Sequence, residues 1–561
     1  MKFCYNCGAA LSGTEKFCGR CGARLEHKVK AEDAEKSIRH GLIFTDLNVL
    51  SMRTGAEKNR LELLFSQYAE AMCTSGIRYR LVDASDYTFV SAGVSRKGEK
   101  ADIRPGSPWW HYQLILYDVM CYEKENSMPE SNYLFIIGSD DVIPVAVIDH
   151  YIKEEGRFKD KDIDTDLLYA YPYGREMKEA LESLQIYKLE MYYLTGRLPI
   201  PSDAGIGYLT NYLQNAINVS KGIKITKAYA QSDPHWKELT AHLMSPFDQA
   251  GILPDRSNIS GHYSYGNVLL GPDITSRYIA AVMDKDTDLI YINLHGSNVA
   301  DAHGYMGEYP EMTKKFEEIF PTIAMSIPQG YNIFVAEACY GGRFIGYDTL
   351  HSMIQSGLAH KTVLGLASSR IAFGVPRPPA GCADVICSAF LDYLFKGYSA
   401  GEAMVLARRM FFEGDKVVSE VEAVTLAEFR LFGDPSLHAF LEGEKAADKS
   451  SAELRVASDD YQAGYDSRDV RKPGHSSSLL DMVRAAVDDN IRSISERIGE
   501  ELYRAYGLPP REPETVKRVK FRNGQERLLF SYYDECQDES DRIWKVISYP
   551  DGKIEKVLTS K

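Results

Sequence analysis

From about residue 40 to residue 440, short apolar runs alternate with longer amphipathic stretches. LIFTDLNVL (42–50), NYLFIIGS (132–139), DLIYINLHG (288–296), YNIFVAEAC (331–339) and KTVLGLASS (361–369) are mostly β-forming residues closed by small or polar ones. That is the pattern of strands buried on both faces. Between them NRLELLFSQYAEAMC (59–73), TSRYIAAVMDK (275–285), MTKKFEEIF (312–320) and ADVICSAFLDYLFKG (383–397) carry the apolar spacing of helices. Strand alternating with helix predicts an α/β fold, a wound, mostly parallel sheet with helices on both faces. In such sheets ligands and chemistry sit at the carboxyl ends of the strands.

The pattern changes past residue 442. Residues 443–478, rich in Ala, Ser, Asp, Lys and Gly, read as a linker. DMVRAAVDDNIRSISERIGEELYRAYG (481–507) then reads as one long amphipathic helix, stopped by Gly507, Pro509 and Pro510. VKRVKF, ERLLFSYYDE, RIWKVISY and KIEKVLTS follow as strands, with Asn523-Gly524 and Asp551-Gly552 as hairpin turns. The expected organisation is an N-terminal ribbon (1–30), an N-terminal α/β subdomain (40–200), a catalytic subdomain (201–442), the linker (443–478), and a C-terminal α+β module of helix and four-stranded meander (479–561). That module reads as a stabilising appendage, with a lid or a partner-recognition role as the alternatives.

Composition narrows the class. With 561 residues, 44% of them hydrophobic and 26% charged, the chain is long enough for several cores. A formal charge of −14 argues against the protein as a whole binding nucleic acid or an anionic membrane. No stretch approaches the roughly 18 apolar residues of a membrane span. The opening MKFCYNCGAALSG has no apolar signal core, so the expected location is cytoplasmic.

Four of the ten cysteines stand close together as two C-x-x-C-G knuckles, Cys4 with Cys7 and Cys18 with Cys21. Two thiolate pairs close a tetrahedral shell, and the expected ion is a structural Zn²⁺. About thirty residues bury too little apolar surface to fold alone, so the metal would supply most of the folding free energy. The stretch resembles the short zinc ribbons at the start of bacterial cytoplasmic proteins, which dock proteins, bind nucleic acid or act as spacers. Its excess of Lys and Arg is slight, so protein docking or a purely structural role is the preferred reading.

Two strand ends carry the candidate chemistry. DLIYINL ends at His295-Gly296-Ser297, and NIFVAEA ends at Cys339-Tyr340-Gly341-Gly342, 44 positions later. A thiol near its ordinary pKa of about 8.5 is a poor nucleophile at neutral pH, and a neighbouring imidazole takes its proton. That imidazole can then protonate a leaving amine. The amides of Gly296 and Cys339 could face a developing oxyanion, with no Cβ at 296 to block the approach. The plain alternative is that Cys339 is inert packing beside a turn.

The chain resembles the gingipain-type family of caspase-fold cysteine peptidases. LFIIGSDDVIP (134–144), TDLLYAY (165–171), TGRLPIP (195–201), LHGS (294–297), EACYGG (337–342), LASSRIAFGVPRPP (366–379) and LFGDPSL (431–437) are similar in character and order to segments of its catalytic region. The resemblance implies an endopeptidase acting on protein or peptide substrates. Cys339 would be the nucleophile, His295 the general acid/base, and the Gly296 and Cys339 amides the oxyanion hole, with no catalytic cofactor. It also implies a substrate pocket near Phe373 and Tyr340. The family's preference for Arg or Lys needs an acidic pocket floor; Asp248 and Asp255 precede His295, but neither is assigned. A third catalytic member stays open as well, with Glu337 on the face of Cys339.

This chain starts with a zinc knuckle and lacks the family's export features, which points to limited, regulated cleavage inside the cell. Two further readings stay open: a non-enzymatic scaffold gathering partners through ribbon and C-terminal module, and a peptidase switched by nucleic acid at the ribbon.

Overall fold

The computed structural model describes residues 2–3, 10–11, 38–149, 162–171, 191–255, 264–271, 282–298, 304–308, 316–411, 419–441, 483–484, 489–506, 511–520, 526–534 and 542–560. Cys4, Cys7, Cys18, Cys21 and the 443–478 linker lie outside these residues, as does most of TSRYIAAVMDK.

An eleven-stranded sheet forms the centre. In chain order the strands are β1 (Arg39–Thr45), β2 (Ile77–Asp83), β3 (Tyr133–Ile137), β4 (Leu194–Leu198), β5 (Ala228–Ser232), β6 (Ser264–Tyr265), β7 (Val268–Leu269) and β8 (Leu289–Asn293). After a separate hairpin of β9 (Gly304–Glu308) and β10 (Phe316–Pro321) come β11 (Asn332–Ala336), β12 (Thr362–Ser368), the two-residue β13 (Phe373–Gly374) and β14 (Phe429–Gly433). The order across the sheet is β6-β7-β5-β8-β11-β12-β14-β4-β3-β1-β2.

The run β5-β8-β11-β12 is parallel throughout, and so is β4-β3-β1-β2. β14 runs antiparallel to β12 and meets β4 at Phe432 and Arg197. Every residue of β3, β8, β11 and β12 is buried, so both faces of the sheet are covered. This is the mostly parallel α/β sheet the alternating pattern predicts.

Three expectations need correction. Residues 483–484, expected inside the long C-terminal helix, form a two-residue strand paired antiparallel with Lys517 and Arg518. LIFTDLNVL is not one strand: β1 stops at Thr45, and Asp46 caps a helix, α1 (Leu47–Thr54), by accepting from the Val49 amide. The described part of MTKKFEEIF is not a helix but β10, antiparallel to β9. Phe316, Ile319 and Phe320 are all buried, which mimics helical spacing. A bulge at Tyr305/Met306 breaks the two-residue alternation that would have marked the hairpin.

The C-terminal module is helix plus meander. It comprises α2 (Asp489–Tyr506), β15 (Thr515–Lys520), β16 (Glu526–Asp534), β17 (Arg542–Ser548) and β18 (Ile554–Ser560), with each neighbouring strand antiparallel. Ile491, Ile494, Ile498 and Leu502 line one helix face and pack on Val516, Leu528, Phe530 and Trp544. β18 also pairs with β13 of the larger domain.

Candidate active site

β8 and β11 are adjacent, parallel and in register, Ile292 opposite Ala336. His295 and Cys339 each lie three residues beyond that pair, so both emerge together at one end of the sheet. The backbones there are in intimate contact. A Cβ built on Gly296 would lie 1.5 Å from the Cys339 carbonyl oxygen. Only glycine fits.

The imidazole is held from several sides. The His295 amide and carbonyl exchange hydrogen bonds with Met306 of β9, each 2.8 Å long. Trp236 packs 4.6 Å from the imidazole by ring centroids, and Phe316 meets it edge-on at 4.8 Å. The Asp233 carboxylate, fully buried just past β5, lies 3.8 Å from His295 Nε2. Asp233 is itself fixed, accepting from the Glu308 amide at 3.0 Å, the His235 amide at 2.9 Å and the His235 ring at 2.7 Å. The carboxylate at the imidazole is therefore Asp233, which the sequence reading passed over. Glu337 instead accepts a hydrogen bond from Tyr291. Asp248 and Asp255 are exposed, the former hydrogen-bonded by Asn267.

The nucleophile turn is strained where it leaves the strand. Tyr340 sits at φ +53°, a left-handed conformation that costs a non-glycine residue on the order of 1 kcal/mol. Its amide donates to Arg370 O at 2.8 Å, and the Gly342 amide donates to Ser368 O at 2.7 Å. At Gly342 a Cβ would press to 2.9 Å against the Phe432 ring. Behind the turn, the guanidinium groups of Arg197 and Arg430 lie 5.8 and 5.4 Å from the Phe344 ring centroid.

Cys339 is 5% exposed, and its Sγ donates to the Ala372 carbonyl at 3.6 Å. Cys339 and Tyr340 help line a small recess together with Ser297, Tyr305, Arg343 and His351. Neither His295 nor Phe373 is among the residues lining that recess. Phe373 is fully buried and pairs, in β13, with Ser560.

Sequence comparison matches residues 113–440 to the model of peptidase family C25. Among solved structures, one described as the Arg-specific cysteine proteinase gingipain R aligns with a TM-score of 0.44 and 13% identity, over 72% of this chain and 78% of that one. Another, described only as a protease, aligns with a TM-score of 0.44 and 10% identity, over 94% of this chain and 97% of that one. The Saccharomyces cerevisiae separase–securin complex aligns with a TM-score of 0.29 and 10% identity, over 58% of this chain and 17% of that one. No curated protein matches the sequence.

Proposed function

This chain belongs to peptidase family C25 and is a cysteine peptidase, and from that premise we propose that it is an endopeptidase working through Cys339 and His295. His295 takes the proton of the Cys339 thiol, and the sulfur forms a bond to the scissile carbonyl carbon. The oxyanion is received by the amides of Gly296 and Cys339. The C–N bond then breaks as the imidazolium passes its proton to the departing amine. Water, deprotonated by His295, displaces the sulfur from the thioester. The acid product leaves, and the thiol regains its proton. Asp233 keeps the imidazole oriented and favours its charged form, as a carboxylate does in catalytic triads.

The observation that supports this reading is the register of β8 and β11, which sets residues 295 and 339 three positions beyond the same strand pair, at one end of the sheet. Limited cleavage is favoured over bulk degradation by the thiol's 5% exposure. Only an extended, already exposed segment of a protein could bring its carbonyl there. The same proposal includes a cytoplasmic location and a structural zinc held by Cys4, Cys7, Cys18 and Cys21, whose thiolates are the soft donors that ion takes. Among the described residues no helix is long and apolar enough to cross a membrane.

The test is to incubate the purified chain and its Cys339→Ala form with a mixed peptide library and map the cuts by mass spectrometry. Cuts within peptides, absent from the alanine form, support the reading. Cuts that persist in the alanine form reject the nucleophile, and removal of terminal residues alone rejects the endopeptidase assignment.

A further inference from the structure

The segment that leaves β12 runs beside the nucleophile turn and then into the C-terminal module. Arg370 and Ser368 accept the amides of Tyr340 and Gly342, and the Ala372 carbonyl accepts from the Cys339 thiol. The next two residues form β13, where Phe373 pairs with Ser560 and Gly374 with Thr559 of β18. The segment therefore meets the nucleophile turn through Ser368, Arg370 and Ala372 and the module through Phe373 and Gly374.

A second contact lies a few residues on. Arg377 donates to the Ala505 carbonyl at 3.2 Å and stands 5.4 Å over the Tyr506 ring, at the end of α2. Its Nε is also 3.5 Å from Glu238, in the helix Lys237–Gln249 that follows Trp236. Tyr506 in turn lies 5.4 Å from Trp544 in the module core. A two-residue strand has almost no stability of its own. The larger core buries Ala372, Phe373 and Val375, and the module's sheet supplies the strand pairing on top of that packing.

We propose that the 489–560 module is a positioning part of the peptidase site: β18 and Tyr506 hold the 370–377 segment against Cys339 and so set how tightly a peptide is held there. The module contributes no reacting group. This rests on the peptidase reading above, and the test separates the two. The full-length chain is compared with Arg377→Ala, Tyr506→Ala and Tyr506→Phe. The measurements are kcat and KM on a peptide the chain cuts, the rate of Cys339 alkylation by iodoacetamide, and hydrogen exchange of residues 369–377.

Both alanine variants should raise KM about threefold to tenfold with kcat within about twofold, the size of effect a lost cation–π and hydrogen-bond contact carries. Exchange in 369–377 should quicken in both. Tyr506→Phe keeps the ring and should restore the wild-type KM. Arg377→Ala leaves the module core intact, so agreement between the two alanine variants excludes simple unfolding of the module. Unchanged KM and exchange in both would overturn the proposal, as would a rise in kcat, which would make the module a brake. If the wild type cuts no peptide, the peptidase reading fails by itself. Exchange and alkylation still decide the positioning role: faster in both alanine variants supports it, and unchanged rates overturn it.

Discussion

Asp233 and His295 form a fixed pair, carboxylate to Nε2 at 3.8 Å, with the acid fully buried and anchored by Glu308 and His235. A buried charge so anchored cannot swing away, so its field acts on the imidazole throughout the reaction. Asp233→Asn keeps the shape and removes the charge. We expect kcat to fall about tenfold to a thousandfold, with KM little changed, because the imidazolium loses its counter-charge only when it forms. Steady-state kinetics on a cleaved peptide checks this. An equal fall in kcat/KM through KM alone would contradict it.

Gly296→Ala places a methyl group where the Cys339 carbonyl oxygen already is, 1.5 Å away. Side chains cannot yield there, because the obstacle is backbone. The two strand ends must separate, and the Gly296 and Cys339 amides proposed to receive the oxyanion move with them. Peptide cleavage should fall by more than about a hundredfold. Far-ultraviolet circular dichroism should stay near wild type, since β8 and β11 remain paired below the site.

The strands that end at His295 and Cys339 were legible, and the strand that ends at Asp233 was not. His295 and Cys339 end apolar runs, LIYINL and IFVAEA respectively, whose hydrophobicity announces burial on both faces. Asp233 ends AYAQS, a strand with Gln and Ser at buried positions, so nothing in its composition marks it as central. Gln231 and Ser232 are buried because they find hydrogen-bond partners, a tertiary fact the sequence does not carry. The C-terminal meander was readable from its apolar strands and its Asp551-Gly552 turn; Asn523-Gly524 and the helix stop at Gly507, Pro509 and Pro510 lie outside the described residues. Its pairing with β13 was not, because two residues, Phe373 and Gly374, have no periodicity to read. Phe316–Phe320 looked helical for another reason, the buried residues at 316, 319 and 320 and the bulge opposite them.

His438 is expected to make the fold acid-sensitive. Its Nε2 accepts from Arg39 at 2.7 Å, and Nδ1 donates to the Gly397 carbonyl, an arrangement open only to the neutral ring. Burial, then the Arg39 charge, lowers its pKa from 6.5 to about 4. The unfolded chain therefore binds this proton more readily. The stabilising contribution is complete above pH 6.5, and is lost as pH falls from 6.5 towards 4. The total loss is about 3 kcal/mol. Chemical denaturation at about pH 7.5 and about pH 5 should show the decline, and His438→Gln should flatten it.

Arg197 and Asp166 form a buried ion pair, with Nη2 to Oδ1 at 2.6 Å and Nε to Oδ2 at 2.9 Å. Burial alone would raise the Asp166 pKa, but Arg197 and then Arg430 outweigh it, and the net shift is downward from 3.8. This contribution is present above pH 3.8 and is lost as pH falls below it. Asp166→Asn leaves Arg197 charged and buried without its counter-ion. The expected cost is about 3 to 5 kcal/mol, measured as the shift in unfolding free energy at neutral pH.

The most direct test of the account needs no substrate. The rate of Cys339 alkylation by iodoacetamide, followed by mass spectrometry of the peptide that carries it, reports thiolate formation as a function of pH. On the proposed dyad, the wild type should react readily at neutral pH, with an inflection well below the ordinary thiol value of about 8.5, and His295→Ala should return it there. Superimposable profiles from the two proteins would mean that the imidazole and the thiol do not act together.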